Sequence, residues 1–235
     1  SRIEVVRDYY SEKYLHVSAD FVCSRHTLEH IGPTRDFVSL IRRGIGNPSD
    51  TVLFIDLPDV TRVLREGAFW DIYYEHCSYF SLGSMARVFR AASFDIHELW
   101  LDFHDQYLMM TARPSPTPTE PELESENDLE HLRQLVEAFP VRCANVIDKW
   151  RRVISDCREN QRRIVLWGSG SKAVAFLTTL GIEDEIEGVV DINPRRQGKF
   201  MPGCRQQILA PEQLTTIRPD LVIVMNPAYS KEISN

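Results

Sequence analysis

One run limits the architecture of this chain more than any other. Arg163-Ile164-Val165-Leu166-Trp167 leads into Gly168-Ser169-Gly170-Ser171-Lys172 and then into an apolar-periodic stretch from Ala173 to Leu180. A short apolar run stopped by glycines reads as a buried strand, and the 3.6-residue pattern after it reads as a helix. A strand that passes into a helix through a tight turn implies a crossover to a parallel neighbour. Residues 187–191 and 220–225 supply two more compact apolar runs, the second closed by Asn226-Pro227. The C-terminal third is therefore expected to be a parallel α/β unit.

The turn also carries chemistry. Gly168-x-Gly170-x-x-Ala173 fits the dinucleotide fingerprint with alanine in third place, and Asp191 stands about 20 residues on, where a ribose-binding acid would sit. Gly168 permits the turn, Gly170 lets a ligand reach the backbone, and the helix N-terminus favours an anion. Two readings stay open: a nicotinamide dinucleotide site, or a Rossmann-like domain whose glycines serve packing alone. Lys172 is unusual in such a turn and could meet a phosphate directly.

The first half alternates strands and helices. Phe21-Val22-Cys23 after Asp20 reads as a buried strand, and residues 51–57 read as another, stopped by Pro58. Between them, residues 27–43 carry a helical pattern interrupted near Gly32-Pro33. Ser81 suits the N-cap of a helix holding Met85, Val88, Phe89 and Ala92. Residues 95–101 and 106–112, joined at Phe103-His104-Asp105, predict an antiparallel hairpin ending an otherwise parallel sheet. Pro114, Pro116, Pro118 and Pro121 among Ser, Thr and Glu predict an extended, solvated linker. A long amphipathic helix over residues 127–160, broken at Phe139-Pro140, should follow.

Three segments hold candidate functional groups. The run from Trp70 to Phe80 packs two carboxylates, one imidazole and three phenols into eleven residues, and it follows neither helical nor strict strand periodicity. A base, an orienting carboxylate and phenolic donors could converge there; the plain alternative is an aromatic packing segment. Ser24-Arg25-His26-Thr27-Leu28-Glu29-His30 lies at the carboxyl end of a predicted strand, where open sheets bind ligands. His26, Glu29 and His30 would need a third or fourth partner to hold a metal, and no metal site is expected. Asp8-Tyr9-Tyr10 follows Ile3-Glu4-Val5-Val6, which resembles the end of a strand. A carboxylate and a flat ring there suit an adenine; a solvent-facing turn is the alternative.

The net charge of −7 argues against a partner bound through phosphate neutralisation, so no nucleic acid is expected. No apolar run approaches the roughly 20 residues of a membrane span. The five cysteines are scattered, without a Cys-x-x-Cys pair, and fit a reducing cytoplasm.

Taken together, Ser24-Arg25-His26-Thr27-Leu28-Glu29-His30-Ile31, Leu57-Pro58-Asp59 and Tyr73-Tyr74-Glu75-His76-Cys77-Ser78-Tyr79-Phe80 resemble class I S-adenosylmethionine-dependent methyltransferases. The subgroup is the one that methylates a carbon of a nucleotide-linked keto sugar. Gly168 to Lys172, Val190-Asp191-Ile192-Asn193-Pro194, Met201-Pro202-Gly203, Ala210 to Leu214 and Met225-Asn226-Pro227-Ala228-Tyr229 resemble that family's C-terminal domain. The resemblance implies an α/β fold. Residues 1–113 would be the C-terminal portion of the methyltransferase sheet, parallel with an antiparallel terminal hairpin. Residues 114–162 would be a linker and connecting helix, and 163–235 a truncated Rossmann-like domain.

It further implies that a base removes a proton beside a ketone and that the enolate attacks the methyl group of S-adenosylmethionine. His76 matches the base, which suits an imidazole; Glu75 and Tyr73 would orient it or steady the enolate, and His30 is a second candidate. Asp8, Tyr9, Ser24 and Arg25 would face the cofactor. Gly168, Gly170, Lys172, Asp191, Asn226 and Tyr229 would hold the nucleotide diphosphate of the acceptor. No catalytic metal is required, because the sulfonium is already activated. The family's cysteine-rich zinc segment and glycine-rich cofactor loop do not occur among these residues. The chain is therefore expected to be a piece of a longer polypeptide, with activity in the complete protein. The competing expectations are an NAD-dependent oxidoreductase and a non-catalytic dinucleotide-binding domain.

Overall fold

A computed structural model describes residues 3–46, 50–117 and 119–234. Pro118 of the proline-rich run lies outside the described residues. The chain divides into two compact units: residues 1–60 with 76–132, and residues 61–75 with 133–235.

In the first unit, β1 (Phe21–Arg25), α1 (Thr34–Ile45), β2 (Val52–Pro58), α3 (Leu82–Ala91), β3 (Phe94–Asp102) and β4 (Tyr107–Pro114) build one sheet in the order β1-β2-β4-β3. The short helix α2 (Val60–Glu66) follows β2 in the chain and, from Thr61 on, belongs to the second unit. β1 and β2 are parallel; β4 runs antiparallel to both β2 and β3, as the hairpin reading requires. Leu53, Ile55 and Leu57 alternate onto one face with Leu108, Met110 and Ala112, where Val38 and Ile41 of α1 and Met85, Ala86 and Phe89 of α3 cover them. Ser81 caps α3 in a reciprocal pair with Ser84 (Ser84 N–H to Ser81 Oγ 3.3 Å, Ser81 N–H to Ser84 Oγ 2.8 Å).

Three expectations need correction, and a fourth needs refinement. β1 is a strand but not a buried one: it takes the sheet edge, where Phe21 is 58% exposed and Cys23 faces solvent. Ile3 to Val6 form no strand; they are exposed and hydrogen-bond to no neighbouring strand, and an unpaired extended segment has nothing to hold it flat. The proline-rich stretch is largely solvent-exposed as expected, but it is anchored to the first unit. Asp95 accepts the N–H groups of Thr119 (2.9 Å) and Glu120 (3.0 Å), while Arg90 binds the Glu126 carboxylate and the carbonyls of Glu120 and Pro121. Finally, α4 (Leu129–Glu159) runs unbroken through Pro140. Proline costs such a helix about 3 kcal/mol, which a 31-residue element absorbs where the preceding turn, at Val136, lies open to water.

In the second unit, β5 (Ile164–Trp167), α5 (Ser171–Leu180), β6 (Gly188–Val190), β7 (Ile208–Leu209), α6 (Leu214–Ile217), β8 (Leu221–Val224) and α7 (Ser230–Ile233) form a parallel sheet in the order β7-β6-β5-β8. Ile164 and Leu166 turn to one face, under α5 and the Ile154 and Cys157 turns of α4. Val165 and Trp167 turn to the other, with Leu214 and Ile217 of α6. The two-residue β7 escapes a pattern search because it is too short to show a period.

Candidate functional site

Two groups of functional side chains occur, one in each unit. The first sits just past β1. His26 adopts φ 44°, a turn held by its N–H on the Asp56 carbonyl (3.0 Å) and carboxylate (3.1 Å), and Arg25 Nε meets the same carboxylate at 2.7 Å. The chain then makes one 3-10 turn, Leu28–His30, which carries Glu29 inward to 2% exposure and leaves His30 exposed. The Glu29 carbonyl accepts the N–H groups of Cys77 (2.7 Å) and Ser78 (3.2 Å). That clamp draws the second segment beside the first. The His76 ring, half-buried, packs edge-on against His30 at 4.9 Å and near Tyr79 at 5.8 Å.

Glu29 Oε1 lies 3.6 Å from His26 Nδ1 and 4.0 Å from His30 Nε2, while Oε2 is buried with no hydrogen-bond partner. The carboxylate raises the His26 pKa above the ordinary imidazole value, against the opposing effect of burial. This assembly suits proton transfer, since it combines imidazoles with one desolvated carboxylate.

The second group lines a cavity of about 800 Å³ at the carboxyl ends of β5, β6 and β8. Gly168, Gly170, Lys172, Asp191, Asn226 and Tyr229 all border it, together with the apolar side chains of Trp167, Ile192 and Met225. Gly168 sits at φ +105°, where a side chain would be strained, and the N-terminus of α5 follows at Gly170.

Two of the six residues are turned inward. Asp191 accepts the Ser169 N–H (3.0 Å) and hydroxyl and the Asn193 N–H (2.8 Å), with Arg196 at 3.4 Å. Burial opposes its ionisation, but these donors overcome it and hold the carboxyl below the usual range. The acid that a dinucleotide fingerprint reserves for a ribose is thus engaged in fixing the glycine turn. Lys172 pairs with Asp71 at 3.0 Å rather than pointing freely at a ligand, and burial lowers its pKa. Asp71 also takes Arg62 and the Tyr73 hydroxyl (2.8 Å). Burial would raise the Asp71 pKa, yet Lys172 and Arg62 bring it below the ordinary value.

The expected site residues therefore fall into separate sets. His30 and His76 share the first unit with Glu29, whereas Tyr73 and Glu75 belong to the second. Glu75 is exposed and lines a cleft of about 420 Å³ with Tyr74, Ser169 and Arg196. Asp8 bonds the Tyr14 hydroxyl (2.8 Å) and Lys13, while Tyr9 is 89% exposed. With no strand over Ile3 to Val6, that pair does not stand at a strand end. Arg25 is spent on Asp56, and no hydrogen bond, ion pair or ring contact of the described residues joins Asp8 or Tyr9 to Ser24 or Arg25. Sequence reasoning missed Asp71 and Arg62; the acidic character of the Trp70 to Phe80 run was the only signal, and nothing local points to Arg62.

Among the described residues no helix is long and apolar enough to cross a membrane. Residues 3–99 match the family described as methyltransferase domain, and residues 117–235 match the family described as C-methyltransferase C-terminal domain. The chain is also similar to the C-methyltransferase NovU of Streptomyces niveus, 27% identical over 229 residues that cover 93% of this chain and 54% of that protein. It thus spans about half the length of that relative. The α/β sheet with its antiparallel hairpin, the parallel sheet behind the glycine turn and both family matches agree: this chain belongs to the C-methyltransferase family that carries this C-terminal domain.

Proposed function

We propose that the complete protein is an S-adenosylmethionine-dependent methyltransferase that methylates a carbon beside the ketone of a nucleotide-linked sugar. The observation that carries this reading is the gathering of His30, His76 and the buried Glu29 carboxylate just past β1. A C–H bond beside a ketone is a weak acid, and its removal requires a base of pKa near the working pH. His76 takes that proton, and the electron pair left behind becomes an enolate with nucleophilic carbon. Its neighbours His30 and Tyr79 fix the ring and exclude part of the solvent. His30 is the nearest second proton carrier. Glu75, next to His76 in the chain, and Tyr73, whose hydroxyl is held by Asp71, position the acceptor. The methyl donor supplies an already activated methyl group, so the protein's task is proton removal and alignment.

The cavity of the second unit takes the nucleotide part of the acceptor. Its apolar lining residues suit a base, and the N-terminus of α5 beyond Gly170 suits the diphosphate. NovU is called a C-methyltransferase, which supports carbon as the methylated atom. A soluble compartment and a small-molecule acceptor complete the reading. The test is His76→Ala in the complete protein. Methyl transfer should fall by roughly 10²–10⁴ with the circular-dichroism spectrum unchanged; turnover within about tenfold of the parent rejects His76 as the base.

A further inference from the structure

We propose that Glu29, His30 and His76 also form a binding site for a divalent transition-metal ion, and that an ion held there silences the base. One ligand atom from each residue lies within 4.8 Å of the others. Three features make this more than proximity. Glu29 Oε2 is buried without a hydrogen-bond partner, so a carboxylate oxygen is already stripped of water and unused. Its sister oxygen lies 4.0 Å from His30 Nε2 and 3.6 Å from His26 Nδ1, so the carboxylate already faces one of the proposed imidazole ligands with a third imidazole behind it. The two segments are tied by the Cys77 and Ser78 N–H groups on the Glu29 carbonyl, so His76 cannot drift from the turn that carries Glu29 and His30.

The donor set decides which ion fits. Two imidazoles and one carboxylate suit Zn²⁺, Co²⁺ or Ni²⁺, whereas Mg²⁺ and Ca²⁺ favour oxygen ligands. Zinc–nitrogen and zinc–oxygen bonds of about 2.0–2.2 Å require the three atoms to close together. His30 is exposed, so its ring can move toward the packed His76 ring and the buried Glu29 carboxylate. A metal–imidazole bond uses the lone pair that would accept the acceptor's proton. The silencing, though not the binding, therefore rests on His76 acting as the base.

The experiment is calorimetric titration of the metal-stripped chain with Zn²⁺ alone, repeated with Co²⁺ and followed by visible absorption. One ion should bind per chain, and His30→Ala and His76→Ala should each weaken binding by about tenfold or more. Cys77→Ser should leave it unchanged, which excludes the nearby thiol. Glu29→Gln should weaken it too, but the two histidine variants alter more accessible side chains and keep the test valid if that variant misfolds. Absence of binding up to about 1 mM Zn²⁺, or affinity unchanged in both histidine variants, overturns the site. In the complete enzyme, Zn²⁺ should inhibit methyl transfer and a chelator should restore it; full turnover with zinc bound overturns the silencing. Normal turnover of His76→Ala with zinc binding lost would instead reject the base assignment and leave the metal site standing.

Discussion

A carboxylate removed from water must find donors inside the protein, and Asp71 and Asp191 do so with different partners. Asp71 neutralises Arg62 and Lys172 together. Asp71→Asn removes the carboxylate that Arg62 and Lys172 share and leaves only the half-exposed Glu66 at 2.9 Å from Arg62 to offset them, so chemical denaturation should show a loss of about 3 kcal/mol; a change under about 1 kcal/mol would mean that the trio is incidental. Both carboxyls titrate below their unfolded value. The stability they add is complete above that value, about 3.9, and is lost as pH falls through the lower folded values. Denaturation midpoints taken from about pH 5 to pH 3 should therefore decline, and less steeply for Asp191→Asn; equal slopes would remove Asp191 from this account. Lys172 and Asp191 were both legible as notable residues. Their inward commitment was not, because the partner of Lys172 lies 101 positions away and no local pattern encodes it.

At the scale of elements, the hairpin, the Ser81 cap and the strand-turn-helix around Gly168 were readable, since each is written in contiguous residues. The anchoring of the proline-rich stretch was not, since it depends on Asp95 and Arg90 from distant positions. Gly83 belongs to the same anchor: an added Cβ would stand 2.2 Å from Asp128 Oδ1 and 2.3 Å from the Glu126 carbonyl. Gly83→Ala should cost about 1–3 kcal/mol, read as a lowered urea midpoint. The two turn glycines should separate folding from binding. Gly168→Ala forces a side chain onto φ +105° and should destabilise by about 1–3 kcal/mol. Gly170 has φ −81° and open space around a new Cβ. Gly170→Ala should leave the thermal midpoint nearly unchanged yet weaken binding of a nucleoside diphosphate, measured by calorimetry. Undiminished affinity would move the phosphates away from this turn.

For the whole molecule, the chain carries an α/β sheet closed by an antiparallel hairpin and a parallel sheet behind a glycine turn; one family match covers residues 3–99 and the other 117–235, so neither coincides with a structural unit, because residues 61–75 belong to the second unit and the first runs on to residue 132. The sequence showed which segments bear imidazoles and carboxylates. It did not show that the Glu29 carboxylate turns inward beside the His26 and His30 rings, because that depends on the 3-10 turn that carries Glu29 and on how its carbonyl is tied to Cys77 and Ser78. The proton-transfer account makes one step observable without any methyl transfer. In D₂O, with the keto-sugar acceptor and no methyl donor, the complete protein should exchange the hydrogen on the carbon beside the ketone for deuterium, and His76→Ala should slow that exchange by roughly 10²–10⁴. Exchange by the variant within about tenfold of the parent would contradict the account at its centre.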